Sequence, residues 1–377
     1  MRSEKNNNVC LSGNSLLKKS LIATTGMLFL MSVYAIYWML MAWQSEQSLK
    51  NWILERRVEG IDFNVRHITF KGFPFRLGMQ LDDITIKNVN TSTRAWTWYI
   101  PAISTWLSPW RPNHIWFDAS GGQNLVIGSI KEENKYRIKT SRLGGDVRFK
   151  GANQGQIKIN FAGFIFEAAG LGLIQVRQSD LNLDWQFLLG PNGVLEPFQF
   201  ELIIKGLELP HNWRPPLGTK IGMFRLAGKL TGPRPRGPLI AALRRWRDAG
   251  GTIEISRLAT EYGPLNLEIE GTFALDKRMQ PLAALIVRAE GYIDTVEALV
   301  EAGLLQPNEG TAAKLGLSIM ARRPEDRPAY VETPVTVQDQ ILSAGNVKLL
   351  HLPAVHWGPL KGLVLSGDGK NTRLSPW

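Results

Sequence analysis

The side chains with the clearest capacity for chemistry are few and lie far apart in the sequence. Of the five histidines, His114 has the most suggestive setting, just after a proline-rich segment, and we expect a hydrogen-bonded turn histidine there. His351 and His356 are separated by Pro353, so they do not share the helical face that a metal site would need. The sequence contains no GxSxG nucleophile elbow, no phosphate-binding GxxxxGK[ST] loop, and no HExxH or CxxC motif. It therefore predicts neither an enzyme nor a bound cofactor or metal.

The adjacent carboxylates Asp82 and Asp83 are the next candidates for acid–base chemistry. Apolar side chains occupy odd positions from Leu77 to Leu81 and even positions from Ile84 to Ile86. A change of phase inside one strand indicates a β-bulge or a short turn. We therefore interpret the acidic pair as a solvated bulge and not as a catalytic dyad.

Five arginines form the strongest basic cluster, namely Arg234, Arg236, Arg244, Arg245 and Arg247. The chain carries a formal net charge of +11 with a sequence pI near 9.7, so attraction to anionic surfaces is expected. The cluster is either a solvated helix face or a contact for anionic lipid headgroups or an acidic partner. No recognised nucleic-acid-binding module accompanies it, so we expect no nucleic-acid partner.

The chain is organised around one uncharged apolar run, from Leu21 to Trp43. Roughly 20 apolar residues cross a membrane as a helix, so the run is long enough to cross with some tilt. Its second half is rich in tyrosine and tryptophan, which are enriched at bilayer interfaces. We interpret it as a retained transmembrane anchor, and the small-residue pattern at Val33-Tyr34-Ala35 leaves a cleaved signal sequence as the alternative.

The charges around the apolar run predict its orientation. Lys18 and Lys19 abut its start and favour a cytoplasmic N-terminus by the positive-inside rule. The rest of the chain would then be exported, and the lipid bilayer is its first expected partner. Residues 1–14 are polar and predict a disordered cytoplasmic tail, which contains the only cysteine, Cys10.

Beyond the apolar run, the sequence predicts strands with one apolar and one polar face. Apolar and polar residues alternate in segments 157–161, 181–187, 198–202 and 265–269. This pattern is typical of antiparallel sheets with one wet side. The predicted fold class is α+β and predominantly antiparallel β, with an N-terminal transmembrane helix followed by a large curved or groove-forming sheet.

A few helices are expected besides the anchor, in the second half of the chain. One is predicted near 238–249 and another near 294–303, with Asp294 as the N-cap residue of the second. Segment 311–316 predicts a short additional turn of helix. The anchor helix itself is expected to continue to Gly60.

These elements divide the chain into five consecutive parts. After the tail come the transmembrane helix with its continuation (15–60) and a β-rich half (61–232). A second β-rich half with the two helices follows (233–358), and a loosely ordered tail ends the chain (359–377).

Two segments stand out as motifs. The first consists of Gly72, Phe73, Pro74, Phe75, Arg76 and Leu77, and the second of Pro109, Trp110, Arg111, Pro112, Asn113 and His114. In the first, Phe73, Phe75 and Leu77 are expected on one side of an edge strand or corner. Arg76 is expected to face away from them, and Trp110 to pack under a proline-locked turn. A structural corner is the main interpretation, and a lipid or partner contact is the alternative.

Together with the anchor, these motifs resemble DUF2125, an uncharacterised alphaproteobacterial family, over most of the chain. The C-terminal segment departs from the family's usual Asp-Gly turn, because Asp339 is followed by Gln340. The architecture is similar to that of AsmA-type envelope proteins, which have an anchor and a long curved sheet with an apolar inner face. The resemblance implies a bacterial inner-membrane protein with a periplasmic body, and it implies no activity.

Three functions are open from the sequence. The first is binding of lipid or another amphiphile in an apolar sheet groove, for envelope maintenance. The second is an envelope scaffold or interaction module that holds a membrane-protein partner. The third, an enzyme, would need a pocket with convergent polar residues around His114.

Overall fold

The structure, a computed structural model, describes residues 13–58, 60–88, 95–127, 136–151, 153–168, 172–186, 198–232, 239–326, 328–355 and 357. The helices are α1 (Gly13–Val58), α2 (Leu239–Asp248), α3 (Tyr292–Glu301) and α4 (Pro307–Met320), and a 3-10 turn spans His211–Trp213. The strands are β1 (Ile61–Asn64), β2 (His67–Lys71), β3 (Leu77–Asn88), β4 (Trp96–Ser108), β5 (Arg111–Ile127), β6 (Tyr136–Phe149), β7 (Gln154–Ala168), β8 (Gly172–Gln186), β9 (Phe198–Glu208), β10 (Lys220–Leu230), β11 (Ile253–Tyr262), β12 (Leu265–Leu275), β13 (Pro281–Glu290), β14 (Tyr330–Gln338), β15 (Ile341–Ala344) and β16 (Val347–His351).

All the strands belong to one antiparallel sheet, which confirms the predicted fold class. From β3 to β16 each strand pairs with the next along the chain, and β1 and β2 both pair with β3 as one interrupted edge strand. Residues 1–12, 359–377, Arg234 and Arg236, on which other predictions fall, lie outside the described residues.

Two helix predictions need correction. Helix α3 begins at Tyr292, and Gly291 precedes it at φ 68°, so Asp294 lies in the first turn and is not the cap. Helix α4 runs for 14 residues instead of one turn and begins with a capping box between Gln306 and Glu309. Its glycines lower helix propensity, but a Cβ at Gly310 would lie 2.4 Å from Val300 Cγ2. That glycine therefore allows α3 and α4 to pack closely.

The turn between β14 and β15 has no glycine at either of its central positions. Asp339 and Gln340 have φ values of 50° and 64°. Positive φ at both central residues is typical of a type I′ hairpin turn, which matches the twist of the paired strands. Gln340 thus adopts the backbone conformation that glycine adopts more easily.

A row of positions without ladder partners crosses eight strands, and we call it the seam. The register on either side aligns its members from β3 to β10 as Asp83, Pro101, Gly121, Ser141, Gly163, Arg177, Gly206 and Gly222. Every second one of them has positive φ, namely Asp83 (51°), Gly121 (87°), Gly163 (61°) and Gly206 (65°). The phase change at Asp82 and Asp83 in the sequence therefore belongs to a feature that extends over half of the sheet.

In β3 and β7 the seam reverses the alternation of apolar and polar side chains but keeps the apolar side chains on one face. In β7, apolar residues occupy odd positions up to Phe161 and even positions from Phe164 onward. These two rings lie 5.8 Å apart across the seam, so they share a face. The hydroxyls of Thr140 and Ser141 both donate to the Ala162 carbonyl, at 3.0 and 2.8 Å, and satisfy it where the ladder is interrupted.

The apolar face has a buried core at each of two places and is only half-buried between them. The first core joins α1 to the early strands, and its buried members are Leu81, Ile84, Ile86, Ile100 and Ala119. Leu49 of α1 packs against it, and Trp52 meets Phe63 edge-on at 4.8 Å. Among the described residues of β7 to β9, Ala168 and Val176 are buried but most other apolar side chains are only half-buried, so no second layer fully covers the face there.

The second core lies at one end of strands β10 to β13. Trp246 of α2 is 3% exposed and donates from its indole nitrogen to the Thr231 carbonyl at 2.6 Å. Trp357 donates in the same way to the Met279 carbonyl at 2.6 Å. The side chain of Gln280 bonds both the carbonyl and the N–H of Val355, at 3.1 and 2.8 Å. The end of the described chain is therefore attached to the β12–β13 turn.

The antiparallel register assigns each connection to one of two opposite rims. The motif rim carries the β2–β3 and β4–β5 turns, helix α2 and the β12–β13 turn. The opposite rim, which we call the α3–α4 rim, carries the β9–β10 connection and the helices α3 and α4. A strand as long as β7, with 15 residues, separates the rims by about 50 Å.

A chain of ion pairs crosses the polar face of β11 to β14. Arg257 lies 2.5 Å from Glu268, which lies 3.6 Å from Arg288. Arg288 lies 2.8 Å from Glu332, which also pairs with Arg322 at 3.1 Å. The hydrogen bond from Arg288, together with the charge of Arg322, lowers the pKa of Glu332. Ionised Glu332 therefore favours the folded state.

We expect Glu332→Gln to lower the melting temperature at neutral pH and to have a smaller effect in acid. Because the folded pKa is lowered, the stabilisation is present above the unfolded value of about 4.3 and is lost as pH falls through the folded pKa. Thermal unfolding of both detergent-solubilised proteins between pH 7 and 3 measures this. Glu325→Gln, at an exposed site outside the ion-pair chain, is the control. A difference that stays constant across this range would contradict the prediction.

We expect Gly163→Ala to lower the free energy of unfolding by roughly 1–3 kcal/mol. Its φ of 61° strains any residue with a Cβ, and that atom would lie 2.3 Å from Ser141 Oγ. Gly122→Ala is the matched control, because Gly122 also lacks a ladder partner but has open space for a Cβ and no positive φ. Urea unfolding in detergent compares the two, and equal losses would show that the seam does not require the left-handed conformation.

Candidate functional site

Helix α1 is long and apolar enough to cross a membrane by length and composition. The candidate span covers residues 18–58, and none of its most apolar window is buried inside the protein. Leu21, Phe29 and Met39 are each about two-thirds exposed, at 69%, 67% and 67%. Such a surface is unfavourable in water, so it needs a cover that the described body does not provide.

The first motif forms a turn that is bound directly to α1. Residues 72–76 connect β2 to β3, and their Phe73–Pro74 peptide bond is cis. The Tyr34 hydroxyl donates to the Pro74 carbonyl, and the Trp38 indole donates to the Arg76 carbonyl at 3.0 Å. The Phe73 ring lies 6.2 Å from Tyr34 and 5.6 Å from Trp38.

The aromatic residues of this motif do not share one environment. Leu77 begins β3 and is 4% exposed, whereas Phe73 and Phe75 are 55% and 70% exposed. Strand alternation does not apply to them, because Gly72 at φ 100° starts a tight turn. The Arg76 N–H closes that turn by donating to the Gly72 carbonyl at 2.8 Å.

The second motif is bound to the same face of α1. The Tyr37 hydroxyl donates to the Pro109 carbonyl at 3.2 Å. Trp110 is 60% exposed instead of packing beneath the turn, because the turn joins two strands directly and has no interior. Asn113 donates to the Phe149 carbonyl at 3.1 Å and ties β5 to the end of β6. Arg111 and the two residues after it already belong to β5.

An open hollow of about 520 Å³ lies where α1 meets the sheet, next to the two turns. Its helical side has the spacing i, i+3, i+4, i+7 and consists of Met41, Gln44, Ser45 and Ser48. Its sheet side is mostly apolar and consists of Phe70, Leu77, Met79, Thr105, Trp106, Leu107 and Ile115. The volume falls in the usual range for ligand sites. An apolar wall opposite a row of amide and hydroxyl groups suits an amphiphile.

Of the residues that line the hollow, only Leu77 is among the predicted site residues. The polar row on α1 gave no distinct signal, because Gln44, Ser45 and Ser48 lie in a helical segment that also contains Glu46 and Gln47. Its partner wall comes from four different strands and depends on their register.

His114 lies in strand β5 and not in a turn, and its ring is held by neighbours. Its Nε2 lies 2.9 Å from Asp146 Oδ2, and Arg148 Nε lies 3.0 Å from both atoms. The ring lies against Trp116 with centroids 3.6 Å apart and the two planes tilted by 31°. The polar groups around His114 therefore pair with one another across β5 and β6, and His114 does not line the hollow at α1.

The arginine cluster divides into different roles. Arg247 pairs with Asp248 at 2.6 Å and donates to the Lys277 carbonyl at 3.1 Å, so it joins α2 to the β12–β13 turn. Arg244 and Arg245 are exposed on α2, at the motif rim. Among the described residues, no group of three or more His, Cys, Asp or Glu side chains is placed to hold a metal.

Helix α4 presents an apolar face to solvent on the α3–α4 rim. Leu315, Ile319 and Met320 are 65%, 77% and 53% exposed. Ala312 and Gly316 are exposed beside them, so the outward side of the helix carries small and apolar residues. The sequence suggested only a short helix here and did not identify this face.

Comparison with known proteins identifies a family but no individual relative. No curated protein and no solved structure matches the chain at a significant level. The family described as "Uncharacterized protein conserved in bacteria (DUF2125)" matches residues 38–353, which include both motifs, the hollow and every strand. The chain therefore belongs to the DUF2125 family.

Proposed function

We propose that this chain is a single-pass protein of the bacterial inner membrane that binds lipid or another amphiphile for envelope maintenance. Its N-terminus is cytoplasmic and its sheet lies in the periplasm. The hollow between α1 and strands β2 to β5 is the binding site. The proposed role is binding and not catalysis, and it requires no cofactor.

The observation that carries this proposal is the position of the hollow on the candidate membrane helix. Met41, Gln44, Ser45 and Ser48 belong to the same continuous helix as the exposed apolar run. A lipid leaving the bilayer beside α1 would meet the apolar wall without crossing water, which removes the main cost of its transfer.

The proposal treats α1 as a retained anchor, and three contacts support this. Tyr34, Tyr37 and Trp38 lie in the second half of the apolar run and hydrogen-bond the two motif turns. Cleavage after Ala35 would remove the Tyr34 donor and leave Tyr37 and Trp38 at a new chain end. Lys18 and Lys19 support a cytoplasmic N-terminus by the positive-inside rule.

The basic side chains of the motif rim support an anionic membrane as its neighbour. Arg76, Arg111, Arg244 and Arg245 are exposed on that rim. Basic residues near an anionic lipid surface each contribute about 1 kcal/mol to its attraction.

A second candidate function, an envelope scaffold, is favoured by the outward face of α4. An apolar surface around Leu315 and Ile319 is typical of a protein contact. This surface lies on the rim opposite the two motif turns, so a partner would bind there without displacing lipid from the hollow.

Filling the hollow should reduce the lipid that copurifies with the protein. We expect Ser45→Trp to lower the lipid-to-protein ratio several-fold in native mass spectrometry after polymer extraction, because the indole occupies the acyl-chain volume. Asn51→Trp, at an exposed site on the same helix outside the hollow, is the matched control. Equal lipid in both variants, or none in the wild type, would contradict lipid binding at this site.

The scaffold alternative predicts a partner at α4. A photocrosslinker at Leu315 should capture one envelope protein in a constant ratio, and adding Ile319→Asp should abolish the adduct. Asn308→Asp adds the same charge on the exposed first turn of this helix and should leave it intact. A stoichiometric partner with no bound lipid would favour the scaffold, and scattered low-yield adducts would exclude it.

A further inference from the structure

We infer that the two motif turns are seated in the bilayer, with Phe73, Phe75 and Trp110 at the boundary between lipid headgroups and acyl chains. The outer boundary of the hydrocarbon core would then lie at Tyr34 to Trp38 and not at Trp43. The inference assumes the proposed membrane crossing of α1, but it does not depend on lipid binding in the hollow.

The length of α1 agrees with this boundary. A hydrocarbon core is about 30 Å thick. At 1.5 Å per residue, the helix advances about 29 Å from Lys19 to Trp38 and about 36 Å from Lys19 to Trp43. Trp43 then lies about 8 Å beyond Trp38, within the headgroup layer, where tryptophan is favoured.

The hydrogen bonds place both turns at the level of this boundary. Tyr34, Tyr37 and Trp38 occupy one face of α1, and each donates to a carbonyl of a turn. Both turns are therefore held at the depth where the core ends, and neither can rise away from the bilayer without losing these bonds.

Four backbone carbonyls of the turns are satisfied within the protein, which suits a lipid boundary. The carbonyls of Pro74, Arg76 and Pro109 accept bonds from α1, and the carbonyl of Gly72 accepts one from the Arg76 N–H. The prolines carry no N–H that would need a partner. The usual cost of immersing a loop in lipid is thereby reduced.

The side chains of the turns fit the same environment. Phe73, Phe75 and Trp110 are 55%, 70% and 60% exposed, although exposure of such large apolar rings to water is unfavourable. Arg76 and Arg111 are exposed beside them, and their charges are complementary to lipid phosphates. Apolar rings flanked by cations match an anionic bilayer surface.

Nitroxide depth measurements test the inference on the full chain in anionic liposomes. Cys10 is the only cysteine, so a Cys10→Ser background allows single labels at Phe75→Cys and Trp110→Cys. We expect both labels to collide more often with oxygen than with a water-soluble nickel chelate. Trp213→Cys, 46% exposed on the α3–α4 rim, is the control and should show the reverse.

The outcomes separate clearly. If the labels at 75 and 110 were as accessible to nickel as the label at 213, the inference would be overturned for both turns. If only one of the two labels faced lipid, the inference would be overturned for the other turn. Leu28→Cys reports whether α1 spans the membrane, so a failure of the crossing is distinguished from a failure of the seating. Melting temperatures equal to that of the Cys10→Ser parent confirm folding, and labels at Phe73→Cys and Arg111→Cys replace any variant that does not fold.

Discussion

The structure depends on the contact between one face of helix α1 and two turns of the sheet. Tyr34, Tyr37 and Trp38 follow the spacing i, i+3, i+4, so they project together and donate to carbonyls of both turns. Further along the helix, Leu49 and Trp52 pack on the first core. These two regions fix the direction of the sheet relative to the helix. The hollow lies against the stretch of α1 between these two regions, and the first region determines which rim faces the end of the apolar run.

The family match covers part of the contact between α1 and the two turns. The match begins at residue 38, so it includes both turns and the donor Trp38 but not the donors Tyr34 and Tyr37. The body carries two different surfaces on opposite rims, basic and aromatic at the turns and apolar at α4. The basic and aromatic rim would suit the membrane contact that we propose. The apolar face of α4 would suit the partner of the proposed scaffold.

The sequence predicted those features that depend on neighbouring residues and missed those that depend on register. Alternation identified the strands, because side chains in a strand alternate regardless of its partners. It did not identify the hollow, whose walls combine Ser45 with Met79 and Thr105 from separate elements. The exposure of Trp110 was also missed, since tryptophan after proline is equally compatible with a buried turn. The length of helix α4 was underestimated because Gly310 lowers the local helix propensity. Only the close packing of Gly310 against Val300 explains why a glycine occupies this position.

The seam has a mechanical consequence for the sheet. Backbone ladders resist bending across the strands, but along the seam eight strands in succession lack paired positions. Stiffness is therefore lowest along that single line, and the sheet can change its curvature there while the ladders on both sides remain intact.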